Sequence, residues 1–136
     1  SRRFLFFEIK ESRMSFDSDI KRFSKTTGIA LDKAVRTIAF DAFAMVTRKT
    51  PVDTGRAKGN WNISVGTPDK SINEAATSTG KGKPARNTMN VKKGDGMKPI
   101  FITNSLDYIH DLEDGTSTQA PRGMVAITVN EIRGSL

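Results

Sequence analysis

From Phe16 to Lys49 the apolar positions recur three and four residues apart. Ile20, Phe23, Thr27, Ala30/Leu31, Ala34/Val35, Ile38, Ala42 and Met45/Val46 form the series. A helix with 3.6 residues per turn gathers such a series onto one face. Lys21, Lys25, Asp32, Lys33 and Arg36 then fall on the opposite face. Ser15 or Asp17 can cap the start. Gly28 interrupts the run, and a glycine inside a helix costs about 1 kcal/mol relative to alanine. The pattern therefore predicts a long N-terminal helical region, either kinked at Gly28 or split into a short first helix and a longer one from about Ile29 to Lys49. Phe40 and Phe43 lie off the main stripe and read as cover for a second core surface or an interface, with core preferred.

The period changes after Asn60. Trp61, Ile63 and Val65 alternate with Asn60, Asn62 and Ser64. That is the signature of a half-buried strand, apolar on one side and polar on the other. It places Trp61 in the core rather than on a nucleic-acid base. Pro99-Ile100-Phe101-Ile102-Thr103-Asn104 is a second strand, whose unbroken apolar run predicts burial on both faces or a central place in a sheet. Pro99 fits at its first residue. Ser105 can cap a short helix through Leu106, Tyr108, Ile109 and Leu112, with Gly115 closing it. The stretch 123–132 satisfies two patterns. Val125, Ile127 and Val129 alternate like a strand, while Val125, Thr128/Val129 and Ile132 fit a helix. The residue types favour the strand.

Between helical region and first strand lies a corner. Pro51 has no amide to donate and ends the helix. Asp53, Thr54 and Gly55 are turn formers. The soft stretch 67–98 is rich in Thr, Ser, Asn, Gly and Lys, and reads as a flexible basic loop. Ser71 to Thr77 can make a short helix within it, and Lys92-Lys93-Gly94-Asp95-Gly96 looks like a turn. Residues 1–13 look separate from the rest. Arg2-Arg3-Phe4-Leu5-Phe6-Phe7 is basic then apolar, but too short in its apolar part for a signal peptide. Met14-Ser15-Phe16 reads like a natural start, so 1–13 are expected to be a translated leader or an added segment and 14–136 a single domain.

Composition narrows the chemistry. The chain has no cysteine, which removes disulfides, thiolate zinc sites and cysteine nucleophiles. No apolar run approaches the roughly 20 residues of a membrane span. The formal net charge of +7 suits DNA, an anionic membrane or an acidic protein partner, or is simply a solvated surface with excess lysine. His110 is the single histidine, beside Asp107, Asp111, Glu113 and Asp114, and reads as a surface helix residue. Asp107, Asp111 and Asp114 share a helix face, which is better read as solvated, or as the complement of a basic partner, than as a cation site. Nothing resembles an activated serine with its base. Gly80-x-Gly82 lacks the Gly-Lys-Ser/Thr of a phosphate loop. The expectation is no enzyme, no metal and no cofactor.

Three blocks carry a family resemblance. The first is Thr50-Pro51-Val52-Asp53-Thr54-Gly55-Arg56-Ala57, then Gly59-Asn60-Trp61. The second is Ile100-Phe101-Ile102-Thr103-Asn104-Ser105-Leu106-Asp107-Tyr108-Ile109, then Leu112-Glu113 and Gly115. The third is Ser117, Gln119-Ala120-Pro121 and Gly123-Met124-Val125. In this order, with a variable insert after the first, they resemble the siphophage neck or tail-completion proteins typified by minor tail protein Z of phage lambda. With the N-terminal helix, the resemblance covers most of residues 16–132.

The resemblance implies a helix rather than a strand at 123–132. The fold class expected is then α+β: a long N-terminal helix packed on a small, mainly antiparallel sheet, a short second helix and a C-terminal helix. It implies a structural virion protein of the phage neck, assembled in the host bacterial cytoplasm. Such a protein forms a homo-oligomeric ring, of about six copies by family likeness, that completes the tail end and joins it to the DNA-filled head. Its partners would be the head connector, the tail terminator or tube, and DNA in the channel. Pro51, Asp53, Thr54, Gly55, Asn60 and Trp61 are expected to be structural. Candidate contacts to partner or DNA are Arg56, Lys81, Lys83, Arg86, Lys92, Lys93, Asp111, Gln119 and Arg122. The alternative is a basic DNA-binding accessory protein without catalytic activity.

Overall fold

The computed structural model describes residues 5–9, 17–51, 56–72, 91–115 and 123–136. Strand β1 spans Leu5–Ile9. Helices α1 and α2 span Asp17–Thr27 and Leu31–Lys49. Strands β2 and β3 span Asn62–Val65 and Ile100–Asn104. Helix α3 is the short Ile109–Glu113, and helix α4 is Val125–Ser135. The class is α+β, as expected.

Of the two forms expected for the N-terminal helical region, the split one is present. Gly28 takes φ +73°, a left-handed geometry that ends one helix and that only glycine adopts without cost. The Ser24 hydroxyl donates to the Ile29 carbonyl at 2.6 Å and ties the two helices across the break. The C-terminal ambiguity resolves to a helix: α4 carries Thr128 and Ile132 into the interior at helical spacing.

The sheet is antiparallel with order β1-β3-β2. Residues Asn62 to Val65 face Thr103 to Ile100, and Leu5 to Ile9 face Asn104 to Ile100. β3 is therefore central, as its unbroken apolar run implied. β1 is a strand that pattern reading did not supply, because residues 1–13 looked unrelated to the domain. A single run of five residues carries no partner signal of its own; pairing with β3 supplies it.

One core joins the layers. Val35, Ile38, Ala42, Phe43 and Val46 from α2 meet Ile63 of β2, Ile100 and Ile102 of β3, Ile109 of α3 and Ile132 of α4. Trp61, just ahead of β2, is fully buried among them. Phe43 belongs to this cluster and Phe40 packs against it, in keeping with the core reading.

The polar side of β2 departs from expectation. Asn60 and Asn62 are as buried as Trp61. The loop after β2 folds back over them: the Asn62 amide donates to the carbonyls of Asp69 at 3.2 Å and Ser71 at 3.0 Å. The Thr103 hydroxyl donates to the same Asp69 carbonyl. Alternation identified the strand, but a side chain able to satisfy loop carbonyls can be buried where a charged one cannot.

Candidate assembly interface

The corner between α2 and β2 is fastened at both ends. The Thr50 hydroxyl donates to the Val46 carbonyl at 2.7 Å and accepts the Trp61 indole N–H at 2.7 Å. One buried oxygen thus holds the last turn of α2 to the aromatic that fills the core. Lys58–Asn60 forms a 3-10 turn. The Asn60 amide donates to the Arg56 carbonyl at 2.8 Å, and Asn104, from β3, donates to the Ala57 carbonyl at 3.0 Å. The first two sequence blocks are therefore bonded to each other. Pro51 is buried. Asp53, Thr54 and Gly55 lie outside the described residues.

The second and third blocks are bonded through Glu113. Its Oε1 accepts the amides of Met124 at 2.7 Å and Val125 at 2.8 Å, and its Oε2 accepts that of Ala126 at 3.0 Å. A carboxylate from α3 thus caps α4, satisfying three of its orphan amides and facing the positive end of its dipole. Gly123 sits at φ +81°, and a Cβ there would lie 2.4 Å from the Glu113 carbonyl oxygen. The cap and the glycine hold the end of α3 against the start of α4. Ser105, expected to cap α3, does not; its hydroxyl is buried without a partner. The Asn104 side-chain oxygen instead accepts the Leu106 amide at 3.2 Å.

A third fastening was not foreseen. Asp32, assigned by spacing to the outward polar face of the helix, accepts the Gly94 amide at 2.9 Å and the Gly96 amide at 2.6 Å. The same carboxylate accepts Arg36 Nε at 3.2 Å and its terminal NH2 at 3.0 Å. Burial alone would raise the Asp32 carboxyl, but the amides of Gly94 and Gly96 and the Arg36 guanidinium together hold it below the usual value. A depressed carboxyl stabilises the fold above its unfolded value of about 3.9 and loses that contribution as pH falls through the folded value. The urea midpoint of the wild type is therefore expected to fall more steeply below about pH 4 than that of Asp32→Asn. Parallel pH profiles for the two proteins would refute the clamp.

No family model, curated protein or solved structure matches this chain. Its residues must speak for themselves. Arg56 is exposed and lines a small pocket with Ile72, Leu106, Asp107 and Tyr108. Among the described residues, Tyr108 and Met97 are the large apolar side chains left exposed. The corner thus brings a candidate contact cation beside Asp107, which lies in the turn ahead of α3 and not on the helix face expected for it. Asp111 is exposed on α3. Lys92 and Lys93 are exposed in a tight turn, as their sequence suggested. The turn rests on the first turn of α2, through Asp32, and does not line the Arg56 pocket. Lys81, Lys83, Arg86, Gln119 and Arg122 lie outside the described residues.

His110 is not the surface residue expected: its ring is half-buried and its Nε2 is enclosed without a partner. Among the described residues, no three histidine or carboxylate side chains converge as they would on a metal. Among the same residues, no helix is long and apolar enough to cross a membrane.

Sequence reasoning missed Asp32 and Glu113 as joints. An acid in a first turn is expected for the helix dipole alone. The signal for a second role at Asp32 is the pair of glycines at 94 and 96, two residues apart and 62 and 64 positions away. Such a pair is readable only once the loop is folded.

Proposed function

We propose that this protein is a structural component of the siphophage neck, a ring subunit that completes the tail end and joins it to a filled head. The observation that carries the reading is the way the three family-like blocks meet. Asn104 of the second holds Ala57 of the first, and Glu113 of the second caps the helix begun by the third. Residues that a resemblance singles out are thereby accounted for as a frame. A frame of this kind leaves its surfaces free to differ with their partners.

Joining would work by multivalency. A ring presents each modest contact many times, and effective concentration makes the sum tight. Cyclic symmetry requires two different patches to meet between neighbours. The exposed acid Asp111 on α3 is a candidate for one such patch. The ring would be located in the virion, with the head connector, the tail terminator or tube, and DNA as its neighbours.

Electron microscopy of lysates from a phage lacking the gene tests the reading. Filled heads beside separate full-length tails are expected, with infectivity restored when the gene is supplied in trans. Intact virions in normal number would overturn it.

A further inference from the structure

The Asp32 clamp does more than fasten a loop. It fixes which charges face outward. The turn Lys92-Lys93-Gly94 is closed by the Asp95 amide on the Lys92 carbonyl at 3.0 Å and by the Lys92 amide on Asp95 Oδ2 at 2.7 Å. Gly94 takes φ +94°. Gly96 lies so close to α2 that a Cβ would stand 2.2 Å from the Asp32 carbonyl oxygen. The turn is therefore mounted on α2 with little freedom. Lys33 is exposed one residue beyond the clamp, and Lys25, exposed on α1, borders the same end of α2 through a groove it shares with Leu31.

The acids in this region are already committed. Asp32 is saturated by two amides and Arg36, and Asp95 by the Lys92 amide and by Lys98 at 3.6 Å. Around the clamp, Lys25, Lys33, Lys92 and Lys93 are the exposed charges left among the described residues besides Lys98, and they are positive. We propose that Lys25, Lys33, Lys92 and Lys93 form one preorganised cationic platform that takes the phosphodiester backbone of duplex DNA. All four are lysines, which bind phosphate as point charges without the bidentate geometry of an arginine. Three separate segments supply them, which suits an extended polyanion rather than a single small anion. The contact would be independent of base sequence, because phosphates position a protein without reading bases.

The clamp makes the proposal separable from net charge. Asp32→Asn removes a negative charge, so a protein that binds DNA by overall charge would bind it more tightly. On a clamped platform the same substitution frees the turn and weakens binding.

The test is fluorescence anisotropy of the whole chain on a labelled random-sequence duplex across a sodium chloride series, with folding of each variant checked by circular dichroism. Wild type is expected to bind with a steep salt slope. Lys92→Gln/Lys93→Gln should reduce that slope by about 2 and affinity at 0.1 M salt on the order of tenfold. Asp32→Asn should also weaken binding. Arg48→Gln, in the last turn of α2 and about 22 Å along the helix from Lys33, should leave both unchanged. No salt-dependent binding by wild type would overturn the platform. So would equal losses from Arg48→Gln, tighter binding by Asp32→Asn, or stronger binding to polyglutamate than to DNA. The assay uses the isolated protein, so its failure leaves the head–tail joining experiment standing, and the reverse holds too.

Discussion

Gly123→Ala is expected to cost about 2–5 kcal/mol of stability. A left-handed backbone costs a β-carbon about 1–2 kcal/mol, and overpacking adds about 1–3. Gly123 meets both conditions: φ is +81° and the added carbon would stand 2.4 Å from the Glu113 carbonyl oxygen. That oxygen belongs to backbone and cannot swing away. Moving it also moves the carboxylate that holds the first amides of α4. Urea unfolding followed by the fluorescence of the single tryptophan reads the loss directly. Gly134→Ala is the internal control. It lies in the last turn of α4 with nothing within 4 Å of a new Cβ, and is expected to be neutral or slightly stabilising. Equal midpoints for Gly123→Ala and wild type would mean that the cap is not under the strain described.

Trp61→Ala is expected to cost about 3–5 kcal/mol, the range for emptying a large aromatic site in a core. Trp61 is wholly enclosed, and the helices and sheet share the cluster it fills. Trp61→Phe divides the effect. It keeps most of the apolar volume but removes the N–H that the Thr50 oxygen accepts. That oxygen still donates to Val46, so the loss from Phe should be the smaller, about 1–2 kcal/mol. Circular dichroism supplies the unfolding curve, since these variants have no tryptophan. A midpoint for Trp61→Ala within experimental error of wild type would show that the corner tolerates a void.

The elements were legible where one side chain's period decided them. The three- and four-residue spacing along Val35, Ile38 and Ala42 is what α2 buries, and the compact apolar run at Ile100 to Ile102 is what a central strand needs. Gly28 was legible as a break because its cost inside a helix is intrinsic. What could not be read were joints between distant segments. Asp32 looks like an ordinary first-turn acid until Gly94 and Gly96 arrive beneath it. Asn62 looks like a solvent-facing strand residue until the carbonyls of Asp69 and Ser71 are laid over it. β1 carried no expectation, because an edge strand is defined by its neighbour. Of the candidate contacts, local sequence identified Lys92 and Lys93 as exposed turn residues, but not the helix on which they are mounted.

The register of the sheet has a consequence for synthesis. Leu5 pairs with Asn104, 99 positions later. On a ribosome adding about 5–20 residues per second, that partner is made about 5–20 s after the strand it pairs with. Helices α1 and α2 need only local contacts and can form in that interval, but the sheet cannot close. For that time β1 is an unpaired apolar strand on a nascent chain, able to join another such strand. Crowded polysomes translating this message are therefore where mispairing between copies would begin.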